Sequence, residues 1–334
     1  MMKRLLFSLG FLWVSSLLFC QVHPADTSQF NRRELSVECD GFRLPATLTL
    51  PAEAAQHRVP CVVLVHGSGP NDRDETIGPN KPFRDLAHGL AAQGIATLRY
   101  DKRTLVYKQN SVPEGRELDY DTEVTDDAVA AVALAATLPE IAPDSLFLLG
   151  HSLGGTLAPR IAERSGQLRG IIILAGLVRP LGDALVEQVE YILSLQGELN
   201  AEARSQVETL KRQVENMKRL DTFEYNASLP LPMGIPASYW RMTLQYKPAE
   251  VAARLSIPMY ILQGERDYQV TMIDFALWQA NLMFNRMALF KSYPQLNHLM
   301  QEGEGKAVPS EYQQPKPVAQ EVIDDVARFV HQHK

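Results

Sequence analysis

Cysteine is scarce in this chain. Three are present among 334 residues, at Cys20, Cys39 and Cys61. Cys20 closes an N-terminal apolar run, and the two that remain are too few for a disulfide framework. No group of cysteines and histidines stands at ligand spacing, so no structural zinc site is expected, and no metal or organic cofactor is called for. A dense run of lysine and arginine is also missing. With a formal net charge of -6, the chain has no electrostatic footprint for nucleic acid. Beyond the N-terminus no eighteen consecutive apolar residues occur, so the mature protein is expected to have no membrane span. The balance of 46% hydrophobic to 22% charged residues excludes a disordered or collagen-like chain.

The N-terminus differs from the rest. In "MMKRLLFSLGFLWVSSLLFCQ", Lys3 and Arg4 precede an apolar run from Leu5 to Phe19. That length suits the core of a signal peptide over 1–20 better than a full span. A short membrane anchor and lipid attachment at Cys20 stand as alternatives, although Phe19 is bulky where lipoprotein signals carry a small residue. The expectation is export, to the periplasm or beyond.

The body of the chain alternates strands and helices. "ELSVECDGFRLPATLTLP" reads as two strands around an Asp40-Gly41 turn. "CVVLVHG", "IATLRYD", "SLFLLG" and "GIIILAG" are short apolar runs of the kind buried on both faces of a sheet, and Cys61 in the first is read as a small buried hydrophobe. Helical patterns fall between them, in "PFRDLAHGLAAQG" with Gly94 at its C-cap and in "DTEVTDDAVAAVALAATLP". This order predicts an α/β fold with a mostly parallel sheet covered on both faces. From about 178 to 250 no buried-strand pattern appears. A charged amphipathic helix and a segment rich in proline and aromatics occupy it, and the alternation resumes with "IPMYILQGERD". The expected organisation is a core over 35–177 and 251–334 with a helical cap inserted at 178–250. The charged helix is read as a solvated face or a dimer surface, and Tyr239 and Trp240 as exposed aromatics lining a pocket.

Within "LFLLGHSLGGTLAPR", Ser152 sits between glycines after a strand and before a helix. No Lys-Ser/Thr pair follows the glycines, which excludes a P-loop, and their spacing fails the dinucleotide pattern. What remains is a serine at the tight turn of a G-x-S-x-G sequence, held above the sheet edge as a nucleophile. A serine hydroxyl needs a base, and the base an orienting acid. After the strand "IPMYILQG" come Glu265 and Asp267, of which Asp267 has the better reach. After the last strand comes His298 in "SYPQLNHLM". Backbone N–H groups for an oxyanion hole are expected at Leu153 and at Ser68, with Gly69 the alternative for the second. His66 is read as a structural partner of that loop. Asp72, Asp74 and Glu75 are read as acids of a solvated loop.

The stretches "HGSGPNDRDE", "LRYDKRT", "GHSLGGTLAPRIA", "LQGERDYQV" and "NHLM" together resemble the α/β-hydrolase family, and within it exported bacterial serine esterases related to dienelactone-hydrolase-like enzymes. The resemblance covers the chain from about Leu35 onward, apart from the cap. It implies an eight-stranded, mostly parallel sheet, and a Ser-His-Asp triad of Ser152, His298 and Asp267. It also implies an internal ion pair involving Asp101 and Arg103. Pro159, inside the helix after Ser152, departs from a regular helix and predicts a bend there. The expected activity is hydrolysis of small to medium acyl or aryl esters, the partner being a small-molecule ester, with Gly69, Tyr239 and Trp240 as candidate substrate contacts. A peptidase or thioesterase of the same fold, or a catalytically silent binding protein, are the rivals.

Overall fold

A computed structural model describes residues 30–222, 224 and 226–334. The leader expected over 1–20, with Cys20, lies outside the described residues. Eight strands form one sheet: β1 (Phe30–Cys39), β2 (Phe42–Pro51), β3 (Val59–Val65), β4 (Ala96–Tyr100), β5 (Ile141–His151), β6 (Gly170–Leu174), β7 (Met259–Gly264) and β8 (Ala288–Tyr293). Their spatial order is β1-β2-β4-β3-β5-β6-β7-β8. The hairpin β1–β2 and the β2–β4 pair are antiparallel, and every pairing from β4 through β3 to β8 is parallel. Asp40 and Gly41 turn the hairpin with φ of 51° and 82°, the positive pair that a two-residue primed turn demands.

The uninterrupted apolar runs exist because each central strand is covered twice. In β3, Cys61, Val63 and Val65 point into one core, while Val62 and Leu64 point into the other. In β6, Ile171 and Ile173 face one side and Ile172 and Leu174 the other. At roughly 1.5–3 kcal/mol for each fully buried aliphatic side chain, these strands supply much of the folding drive. The helices are α1 (Pro82–Ala91), the single turn α2 (Arg103–Val106), α3 (Asp126–Thr137), α4 (Leu153–Ser165), α5 (Leu181–Ser194), α6 (Ala201–Lys218), α7 (Ala237–Gln245), α8 (Pro248–Arg254), α9 (Met272–Leu282) and α10 (Gln320–His333). Residues of α1 and α10 build one core, and residues of α3, α4, α8 and α9 build the other.

Between β6 and β7 run α5 to α8. Val214, Met217, Leu220 and Trp240 form a small separate core there, joined by Leu181 and Leu185. In α6 only Val207, Val214 and Met217 are buried, so most of this charged helix faces solvent. Tyr239 and Trp240 are not exposed: they are 6% and 0% accessible. The last helix of the segment, α8, puts Ala249, Val251 and Ala252 into the main core. No described helix is long and apolar enough to cross a membrane.

One local expectation changes. Asp101 and Arg103 do not pair with each other. Asp101 binds Arg73 through both carboxylate oxygens, and Arg103 binds Asp127 deep in the core. They follow one strand, but Asp101 is bonded on the β2 side, where its N–H meets the Pro45 carbonyl, whereas Arg103 starts the next turn. At Pro159, where a bend is expected, α4 continues as one element. Only the Gly155 carbonyl, which would have accepted from residue 159, is released.

Candidate active site

The site lies where β3, β5, β7 and β8 give way to loops at their C-terminal ends. Ser152 sits between β5 and α4 with φ 54° and ψ -115°, a conformation that L side chains rarely adopt and that costs on the order of 1–3 kcal/mol. Close packing holds it there. A Cβ on Gly150 would strike the Gly154 carbonyl, and one on Gly154 would strike the Val65 carbonyl at the end of β3. Glycine is needed at both positions because backbone meets backbone. The Ser152 N–H donates to the Leu174 carbonyl at 2.9 Å, fixing the turn to β6.

Ser152 and His298 line one cavity of about 600 Å³. Of the two acids left open by the sequence, Asp267 is the one that meets the histidine, with its Oδ2 2.6 Å from His298 Nδ1. The Asp267 Oδ1 accepts the N–H groups of Gln269 and Val270, and Gln263 Nε2 donates to Oδ2 at 3.2 Å. Asp267 is 2% exposed. Glu265 is exposed and accepts from Ser292. With Nδ1 engaged, the other ring nitrogen of His298 is the one left for chemistry in the cavity.

Ser68, Gly69 and Leu153 also line this cavity. Among the described residues, the N–H groups of Ser68 and Leu153 have no hydrogen-bond partner, whereas that of Gly67 donates to Glu75 Oε1 at 2.6 Å. Leu153 is the first residue of α4, where helix N–H groups lack internal acceptors. The Gly67 carbonyl, on the same peptide as the Ser68 N–H, is held by Lys102 Nζ at 2.9 Å and Asn71 Nδ2 at 3.2 Å. His66 is buried against Phe83 and Tyr100, and burial pushes its pKa down to about 4. It is therefore neutral and structural. Tyr239 and Trp240 belong to the cavity wall, with Trp240 backing it from the small α6–α7 core.

Sequence reasoning missed a buried Glu–His pair beneath the site. Glu75 is 1% exposed rather than solvated. Its Oε2 lies 2.8 Å from Nδ1 of His151, the residue before Ser152. The other His151 nitrogen lies 2.9 Å from the His298 carbonyl, which can only accept. Facing a carboxylate and a carbonyl, the ring satisfies both by carrying two protons. Desolvation is the largest influence on both groups. It pulls His151 down and Glu75 up, but their mutual attraction prevails and leaves the His151 pKa raised and that of Glu75 lowered. The pair ties the Ser68 loop, the serine turn and the His298 loop together. The one sequence signal for it was the histidine adjoining Ser152. A second buried pair, Lys102 with Glu123 at 2.6 Å, adjoins the same cavity. No described group of three or more His, Cys, Asp and Glu is arranged to hold a metal ion.

A parallel sheet carrying a strained serine turn and a buried Asp–His pair at its C-terminal edge defines an α/β-hydrolase. Residues 56–304 match the family described as Hydrolase_4, serine aminopeptidase, S33. The chain is 39% identical over 306 residues to esterase EstD of Thermotoga maritima, a match spanning 91% of this chain and 68% of that protein. Its fold is similar to Est1E from Butyrivibrio proteoclasticus, also solved with ferulic acid bound. That likeness has a TM-score of 0.57 at 16% identity and covers 90% of this chain and 98% of that one. Porphyromonas gingivalis dipeptidyl peptidase 4 is similar too, with a TM-score of 0.56 at 16% identity over 92% of this chain and 36% of that one. The chain belongs to the Hydrolase_4 family of serine hydrolases.

Proposed function

We propose that the protein is a serine carboxylesterase that hydrolyses small to medium acyl or aryl esters, with residues 178–250 acting as a cap over the site. One observation carries the reading: a serine in a strained turn shares a cavity with a histidine whose far nitrogen is held by a buried carboxylate. The 39% identity to an esterase supports it. In the proposed reaction Ser152 Oγ bonds to the ester carbonyl carbon while its proton passes to His298. Asp267 holds the imidazole tautomer, and the Ser68 and Leu153 N–H groups receive the charge that develops on the carbonyl oxygen. Collapse expels the alcohol, which takes the proton from His298. Water then attacks the acyl-enzyme, giving its proton to the same ring, and collapse releases the acid as that proton passes to Ser152 Oγ. Gly69 and Tyr239 are assigned as substrate contacts, and Trp240, fully buried, as the support packed against Tyr239. Export by the 1–20 segment, with lipid attachment at Cys20 as its variant, belongs to the same proposal and rests on the sequence.

The family description names an aminopeptidase, which favours peptide-bond hydrolysis as a second reading. Ser152→Ala is expected to abolish p-nitrophenyl acetate hydrolysis while leaving the thermal unfolding midpoint within a few degrees of the parent. Unchanged turnover in that variant, purified free of host esterases, would refute the assignment. Turnover of aminoacyl anilides in preference to esters would select the peptidase reading.

A further inference from the structure

The cavity is lined mainly by apolar side chains, and of the two carboxylates on its wall that the proposed reaction does not use, Glu75 is taken up by the Gly67 N–H and His151, which leaves Glu123. Glu123 is 7% exposed and lies on the wall. It is carried by Asp121–Thr125, a π-helical turn directly before α3. Such turns insert an extra residue and shift the side chains that follow, and they occur frequently at functional sites. Glu123 Oε1 accepts from Lys102 Nζ at 2.6 Å. Its Oε2 is not among the fully occluded orphan atoms, and the Tyr239 phenol stands within hydrogen-bond reach of this carboxylate. Burial first, and the Glu123 charge second, hold that phenol's pKa well above its ordinary value. The Tyr120 ring meets Tyr239 edge-on at 5.1 Å, and its phenol feels the same carboxylate.

A carboxylate oxygen can only accept, so an occupant that satisfies it must donate. Lys102 already balances the charge, which disfavours an ammonium group and suits a neutral hydroxyl. A ligand that lays apolar surface against this carboxylate strips the hydration from the side that Lys102 and Tyr239 do not cover and returns no hydrogen bond, so a ligand without a donor at that point is penalised. We infer that Glu123 and Tyr239 form a hydroxyl-recognising subsite, selecting esters that carry a hydroxyl group away from the reacting carbonyl. The inference rests on the esterase reading and deepens it. Both a phenolic hydroxyl and a sugar hydroxyl have the required chemistry.

The test compares kcat/KM of the purified protein for matched pairs: ethyl 4-hydroxycinnamate against ethyl cinnamate, and 6-O-acetylglucose against cyclohexylmethyl acetate. A preference of at least about tenfold for the hydroxylated member of one pair is expected, the size of a hydrogen bond to a charged acceptor. The favoured pair identifies the source. Glu123→Gln keeps an oxygen for Lys102 but exchanges a charged acceptor for a neutral amide, and should lower that ratio several-fold whatever happens to the absolute rates. Tyr239→Phe should lower the ratio in the same direction. If plain esters are hydrolysed but neither pair shows a preference, the subsite is refuted and the esterase reading stands. The subsite is also overturned if the ratio survives in both variants, or if an α-amino ester outcompetes the hydroxylated ones. No turnover of any ester on the panel would overturn both readings together.

Discussion

Removing Glu75 tests whether the buried pair supports the site. Its carboxylate, 1% exposed, accepts from the Gly67 N–H at 2.6 Å and pairs with His151 at 2.8 Å. Glu75→Ala leaves a buried imidazolium without a counter-charge and a buried N–H without an acceptor. Breaking a buried ion pair costs about 3–5 kcal/mol, and an unmet N–H about 1–3 kcal/mol, the two overlapping because His151 can shed its proton. A loss of about 3–5 kcal/mol in urea unfolding at pH 6 is the expected result. Glu75→Gln should cost less. Its amide oxygen keeps the Gly67 bond, its amide nitrogen donates to Nδ1 of a neutral His151, and Nε2–H still reaches the His298 carbonyl. The pH dependence has a definite sign. His151 is raised on folding, so its contribution is full below the unfolded pKa near 6.5 and is lost as pH rises through its folded value. Glu75 is lowered, so its contribution is full above about 4.5 and is lost as pH falls through its folded value. The gap between the parent and Glu75→Gln is therefore widest between about pH 4.5 and 6.5 and narrows above that. Equal stability of the parent and Glu75→Ala, or a gap that widens steadily into alkaline pH, would refute the reasoning.

Other expectations follow from the same geometry. Asp267→Asn removes the acceptor of the His298 Nδ1 proton and should lower kcat by about 10⁴, with a near-normal unfolding midpoint; a loss under tenfold would exclude Asp267 from the triad. Gly154→Ala drives a Cβ into the Val65 carbonyl and should destabilise by a few kcal/mol, read by chemical denaturation, while a silent substitution would show that the turn relaxes freely. Lys102→Met strips the charge-assisted bond from the Gly67 carbonyl and leaves Glu123 unpaired, so stability and kcat should both fall. A variant with full activity would show that this peptide needs no such support.

The sheet was legible because its rules are local. Apolar runs such as "GIIIL" mark strands covered on both faces, Asp40-Gly41 marks a primed turn, and helical spacing fills the gaps. The glycines around Ser152 could be read as close packing, and Gly150 and Gly154 do face backbone. The choice of Asp267 over Glu265 rested on reach into the loop, and Asp267 is the one at 2.6 Å from His298. What escaped was non-local. Glu75 meets a histidine 76 positions away, and in its polar loop it read as solvated. Glu123 meets Lys102 across 21 positions from inside a π-helical turn that no periodicity announces. The partners of Asp101 and Arg103 were likewise set by the fold. Tyr239 and Trp240 were expected in the open, because their covering, α5 and α6, has a charged exterior that hides its small apolar core.

The most direct measurement is covalent. A fluorophosphonate, incubated with the purified protein and mapped by peptide mass spectrometry, should modify Ser152 alone. The modification should slow by orders of magnitude in His298→Ala. A label at another residue, or labelling of Ser152 at an undiminished rate without His298, would contradict the account.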